Sequence, residues 1–263
     1  MENNARESRI TGSVAIGLTL ISMSVLTGCG GAKVLKNPEA HVVTQELVTA
    51  SDQTLSADLD WVIIRDGPGT WAKNVDWDEY LITVRNFGDE SIEITNITVL
   101  DSLGTRVESR IDRKQLVKGT KETKRRYKGE GLQVKAGWGT GTLFAAGAAS
   151  VAGSAAVVAS AGVFSSTAGV AATGGVILLP AFAVGGIVRG VNNGKVNRQI
   201  ESRQTPLPLV LQDDEDQTIH AFFPLAPSPI QIEVSYVDSE GDHILVVDTQ
   251  AALEGLHLAQ AEE

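Results

Sequence analysis

Ile92-Glu93-Ile94-Thr95-Asn96-Ile97-Thr98-Val99-Leu100 is the stretch on which the fold turns. Its apolar residues fall on even positions as far as Ile94 and on odd positions from Ile97. Side chains of a strand alternate between two faces, so the change of parity implies one extra residue, a β-bulge near Asn96. The strand is followed by a turn cluster, Asp101-Ser102-Leu103-Gly104, and preceded by another, Asn86-Phe87-Gly88-Asp89.

Working outward, Tyr80, Ile82 and Val84 alternate with Leu81, Thr83 and Arg85, and Trp61-Val62-Ile63-Ile64 reads as a further short strand. The β signal stops near residue 110 and returns after residue 205. Leu209 to Leu211, Ile219 to Phe223, Ile230 to Tyr236 and Ile244 to Val247 then read as strands separated by acidic or Pro-rich turns. Neither flank has enough strands to close a core alone. Together they predict a mainly β chain, an immunoglobulin-like β-sandwich interrupted by an inserted Ala/Gly-rich α-helical hairpin.

The expected organisation is a leader over 1–28, a tether over 29–54 and the first half of the sandwich over 55–109. A basic segment plus hydrophobic hairpin fills 110–204, the second half of the sandwich 205–248, and a C-terminal tail with a short helix 249–263.

Residues 136–188 are 53 positions without a charged side chain, rich in Ala, Gly, Val and Ser. Thr142 to Val163 and Ala168 to Val188 are each close to the roughly 20 residues that cross a bilayer core as helix. Gly137, Gly141, Ala145, Ala149 and Gly153 recur every four positions, and Gly186, Gly190 and Gly194 repeat the spacing. Small residues four apart let helix backbones approach closely. The pattern resembles the glycine-zipper hairpins of several bacterial envelope proteins, which implies membrane insertion or self-association through these residues. A buried soluble hairpin or a low-complexity insert remains the alternative.

The only cysteine, Cys29, ends Leu26-Thr27-Gly28-Cys29, after a short apolar stretch over residues 14–26 and the cations Arg6 and Arg9. This arrangement resembles a bacterial lipobox. The resemblance implies cleavage before Cys29, covalent lipid (palmitate among the acyl chains) on that residue, and a place in the cell envelope. Gly30 after the cysteine matches outer-membrane sorting in that class. An N-terminal transmembrane helix with an incidental cysteine is the competing reading. A thiol nucleophile would require an activating neighbour.

The net charge is -10, but it is unevenly spread. Residues 110–135 hold ten Lys or Arg against three acids, whereas residues 201–263 hold thirteen acids and a single cation, Arg203. A basic block beside an apolar one suits contact with anionic lipid headgroups. Only Tyr127 interleaves it as a stacking aromatic, which argues against nucleic acid.

Candidate chemistry is sparse. His41, His220, His243 and His257 have no metal-ligand spacing, and no G-x-S-x-G elbow occurs. Asp213 to Asp216 and Asp238 to Asp242 read as solvated turns rather than calcium loops. Trp61, Trp71 and Trp77 fit a sandwich core better than a carbohydrate platform. The expectation is therefore a non-enzymatic lipoprotein of the envelope, anchored in the outer membrane and facing the periplasm, with a structural, assembly or membrane-associated role. No catalytic residue, metal or cofactor is expected beyond lipid on Cys29. The expected partners are membrane lipid, further copies of the chain or an envelope protein. A periplasmic ligand- or protein-binding module is the alternative.

Overall fold

The computed structural model describes residues 32–38, 43, 45–137 and 189–259. In chain order these form β1 (Lys33–Val34), β2 (Val48–Ser51), β3 (Leu55–Ile63), β4 (Ala72–Lys73), β5 (Trp77–Asn86), β6 (Ile92–Leu100) and β7 (Arg106–Glu108). Helices α1 (Arg113–Gly129) and α2 (Arg189–Arg203) follow, then β8 (Leu209–Leu211), β9 (Asp216–Pro224), β10 (Gln231–Asp238) and β11 (Gly241–Asp248). Among the described residues the chain is mainly β, with several antiparallel sheets and two helices.

β6 is the hub of a five-stranded sheet in the order β11-β10-β6-β7, with β8 also pairing β6. Its register against β10 slips as expected: Ser235 opposes Asn96 while Tyr236 opposes Ile94, so Thr95 is the extra residue. The bulge turns Ile92, Ile94, Ile97 and Val99 into one core face despite their change of parity. The second sheet, β2-β3-β5-β9, draws strands from both flanks of the central segment. β3 carries a bulge of its own at Asp60, since Leu59 opposes Ile82 and Trp61 opposes Leu81. Leu55, Ala57 and Leu59 before it, and Val62 and Ile64 after it, therefore enter the same core.

Side chains of the two sheets share one apolar cluster, which includes Tyr80, Ile82 and Phe223 from the four-stranded sheet and Ile97, Val234 and Val247 from the other. Each such aliphatic side chain contributes about 1.5–3 kcal/mol on full burial. Tyr80 and Phe223 meet edge to face with centroids 5.1 Å apart.

The outer face of the four-stranded sheet carries a second cluster. Trp77 and Phe222 pack there against Leu116 of α1 and Val196 and Ile200 of α2, beside Trp71 and Ala72. α1 begins at an N-cap, Asp112, whose carboxylate accepts from the backbone N–H of Lys114 and Gln115. Its buried row is Leu116, Thr120, Thr123 and Tyr127, spaced for one helix face. Thr120 Oγ1 donates to the Asp76 carbonyl at 2.6 Å and accepts from the Leu225 amide at 3.0 Å. Gly119 lies against the Pro224 ring, where an added Cβ would come within 2.5 Å of Cγ.

Several segments differ from the sequence expectation. The stretch read as a tether contributes β1, which pairs β4, and β2, which pairs β3. The basic block is largely the amphipathic helix α1. In the C-terminal tail, no helix forms over the described residues; turns bury Leu253, Leu256 and His257 instead. The expected hairpin segments, 142–163 and 168–188, lie outside the described residues. Among the described residues no helix is long and apolar enough to cross a membrane.

Candidate functional site

Consecutive residues of a strand face opposite ways, and β5 places Asp78 on its inner face and Glu79 on its outer one. Both are buried, at 0% and 1% exposure. Each is bound to one flank of the central uncharged segment.

On the outer face, Glu79 Oε1 accepts from Arg203 Nε at 3.0 Å and His220 Nδ1 at 2.8 Å, while Oε2 accepts from Trp71 Nε1 at 2.7 Å. Arg203 Nη2 also lies 2.8 Å from Oε1, close enough to attract but without hydrogen-bond alignment. The guanidinium stands 5.5 Å from the Trp71 ring centroid. Burial pushes the Glu79 carboxyl up, but the His220 hydrogen bond and the Arg203 charge outweigh it and hold it below the usual range. Glu79 is thus a carboxylate with both oxygens engaged. Arg203 is the last residue of α2, so the contact fixes the helix that follows residue 188.

On the inner face, His257 Nε2 lies 2.7 Å from Asp78 Oδ2, and His257 Nδ1 donates to the Gly137 carbonyl at 2.8 Å. With Nδ1 donating, one proton is shared between Nε2 and Oδ2. Burial raises the Asp78 carboxyl above its usual value, against the pull of His257. Asp78 Oδ1 and the Tyr80 hydroxyl have no hydrogen-bond partner among the described residues. The backbone beside Gly137 is also held, because the Lys135 amide donates to the His257 carbonyl at 3.0 Å and Val134 bridges Leu258.

Gly137, the first of the small residues expected to line a helix, instead stands in a bend with φ of 99°. A Cβ there would lie 3.0 Å from the Arg65 carbonyl oxygen, so its smallness serves this turn. Gly190 and Gly194 belong to α2, and a Cβ on Gly194 would meet nothing within 4 Å. Gly141, Ala145, Ala149, Gly153, Gly186 and Cys29 lie outside the described residues.

The three tryptophans singled out in the sequence are all buried, so none presents an exposed ring for a sugar. His220, His243 and His257 each pair with a carboxylate, His243 with Asp238 at 2.9 Å. Sequence reasoning missed all three pairs, which join residues distant in the chain or across a hairpin. The adjacent acids at 78 and 79, in a strand otherwise built for burial, were the available signal. No group of three or more His, Cys, Asp or Glu side chains among the described residues is placed to hold a metal ion. Compared with known proteins, the chain matches no family model, no curated sequence and no solved structure.

Proposed function

We propose that the chain is a lipid-anchored lipoprotein of the cell envelope, sorted to the outer membrane and facing the periplasm. Its two sheets close as an immunoglobulin-like sandwich that serves as a platform for an inserted helical hairpin, and its role is structural or in assembly rather than catalytic. The observation that carries this reading is the pair of buried contacts on adjacent residues of β5. Asp78, through His257, binds the carbonyl of Gly137, and Glu79 binds Arg203 at the end of α2. The folded body thereby grips both flanks of a long uncharged segment. Such a grip suits a body that presents a segment to a membrane or to further copies of the chain.

The saturation of Glu79 supports a structural role as well. A carboxylate whose oxygens already accept from an arginine, a histidine and an indole has little capacity left for proton transfer to a substrate.

The test is fractionation with alkaline carbonate washing, together with palmitate labelling. The unaltered chain should incorporate label and stay in outer-membrane fractions. Cys29→Ala should lose the label, and a chain with 138–188 replaced by a short Gly/Ser linker should keep it. If Cys29→Ala resists carbonate while the linker variant of Cys29→Ala is released, the segment is a second attachment. Label incorporation by Cys29→Ala, or recovery of the native chain in the inner membrane, would overturn the reading.

A further inference from the structure

The cations of α1 are sorted by the way the helix lies on the sheet. Two on its flanks are neutralised by the body: Lys124 lies 3.6 Å from Asp76, and Arg126 binds the buried Asp101 at 2.8 Å. The row opposite the buried Leu116-Thr120-Thr123-Tyr127 face is different. Lys114, Lys118, Lys121, Arg125 and Lys128 follow one another at spacings of four, three, four and three, and all five are exposed. Such spacing keeps them on one face over about 21 Å of helix. Only Lys118 has an acidic neighbour within ion-pair distance among the described residues, Glu122 at 3.9 Å on the same helix.

A row of cations that the fold has left unneutralised, in a chain of net charge -10, is a local reversal of sign with a direction. Two apolar side chains bracket the helix and are also left outside: Ile111, 65% exposed, just ahead of the N-cap, and Leu132, 39% exposed, just beyond the C-terminus. Five residues after Leu132 the described chain stops at Gly137, and the uncharged segment runs on from there. Cations in a line, apolar side chains at both ends and a contiguous apolar segment together match a headgroup layer over hydrocarbon.

We infer that the exposed face of α1 is a docking surface for a bilayer leaflet bearing anionic phospholipid. Lys114, Lys118, Lys121, Arg125 and Lys128 contact the headgroup phosphates, and Ile111 and Leu132 enter the interface beside them. The inference rests on the proposed membrane location only in requiring a bilayer within reach. The attraction is electrostatic, so it is sensitive to both lipid charge and salt, unlike the hydrophobic anchors.

The experiment is lysine acetylation of the full chain, followed residue by residue by mass spectrometry, on vesicles of phosphatidylcholine alone and on vesicles with about one third phosphatidylglycerol. At low salt, Lys114, Lys118, Lys121 and Lys128 should react on the order of tenfold more slowly on the anionic vesicles than on the neutral ones. Lys73, exposed on β4, should react equally on both, and 0.5 M salt should abolish the difference. Equal rates on the two vesicle types overturn the inference, as does slowing that survives high salt. Stronger protection by a DNA duplex in the absence of lipid would overturn it in favour of nucleic acid. Flotation with neutral vesicles reads the hydrophobic anchors separately, so loss of that signal with intact anionic protection would count against the anchor and leave the docking face standing.

Discussion

The two faces of β5 bury a carboxylate each, one residue apart, and treat it in opposite ways. Glu79 on the outer face is held below the usual range against the pull of its burial, because His220 and Arg203 both donate to it and Arg203 adds a full charge, while Trp71 Nε1 occupies its other oxygen. Asp78 on the inner face is pushed up by its burial, which the contact with His257 offsets only in part, and Oδ1 has no donor among the described residues. Burial is nearly equal at the two sites. What separates them is the number and charge of the donors that the surrounding elements supply. The outer face receives them from α2, β9 and the segment ahead of β5, whereas the inner face is walled mainly by apolar side chains.

The sharpest way to break this contrast is to delete the better-satisfied acid. Glu79→Ala leaves the Arg203 guanidinium buried without a counter-charge and strands the donors on His220 and Trp71. Removing one partner of such a pair costs about 3–5 kcal/mol. Urea denaturation should show a loss of that size, and hydrogen exchange should show α2 opening more readily than β6. A loss below about 1 kcal/mol would mean that α2 is held by Val196 and Ile200 alone.

The outer layer can also be disturbed without touching a charge. Gly119→Val drives its side chain into the Pro224 ring, which has no rotamer to give, so α1 must shift. Overpacking of this kind costs about 1–3 kcal/mol. The same shift lengthens the two contacts of the Thr120 hydroxyl with Asp76 and Leu225. Denaturation should show the loss, and near-ultraviolet circular dichroism from Trp77 should change while the β signal in the far ultraviolet persists.

Asp78→Asn should be milder than Glu79→Gln, even though both remove one buried acid. The asparagine amide can donate to His257 Nε2 while Nδ1 still donates to Gly137, so no charge is stranded. The expected cost is within about 1 kcal/mol. The pH profiles should separate too. Glu79 has a lowered value in the fold, so its contribution is complete above the usual 4.5 and is lost as pH falls below it. Asp78 has a raised value, so its contribution is present below the usual 3.8 and is lost as pH rises through the higher folded value. Asp78→Asn should therefore keep the acid-side loss, and Glu79→Gln should lack it. Identical profiles for the two variants would dissolve the contrast between the faces.

The β body was legible because its core strands alternate openly, and even the bulge in β6 announced itself through the parity of Ile94 and Ile97. The bulge in β3 left the same kind of trace, Leu55, Ala57 and Leu59 against Val62 and Ile64. The strand expected there began only at Trp61, because Asp58 and Asp60 break up the apolar run ahead of it. α1 was hidden for a different reason. Two of its four buried residues are threonines, Thr120 with its hydroxyl bonded to Asp76 and Leu225 and Thr123 accepting from Arg126, so its apolar periodicity is faint. The Asp112 cap was the local signal for it. The clasp on Glu79 had no local signal beyond the adjacent acids at 78 and 79, because Arg203 and His220 come from 124 and 141 residues away.

Asp60 offers the finest cut between the two halves of β3. It is the extra residue of the bulge, so it opposes no residue of β5 directly, yet its Oδ2 accepts from Thr83 Oγ1 at 2.6 Å. Burial, with smaller contributions from Asp58 and Glu46 and against the Thr83 hydrogen bond, pushes its carboxyl from 3.8 up to about 6. A group raised in the fold contributes stability that is complete below 3.8 and disappears as pH rises through about 6. At neutral pH the bulge therefore carries an ionised acid that the fold disfavours. Asp60→Asn keeps an oxygen for Thr83 and removes the charge, so it should raise the melting temperature slightly at pH 7 and leave it unchanged near pH 4. The gain should appear between those values. A variant that is destabilised equally at both pH values would show that the bulge needs the carboxyl group whatever its charge, and would sink the electrostatic account.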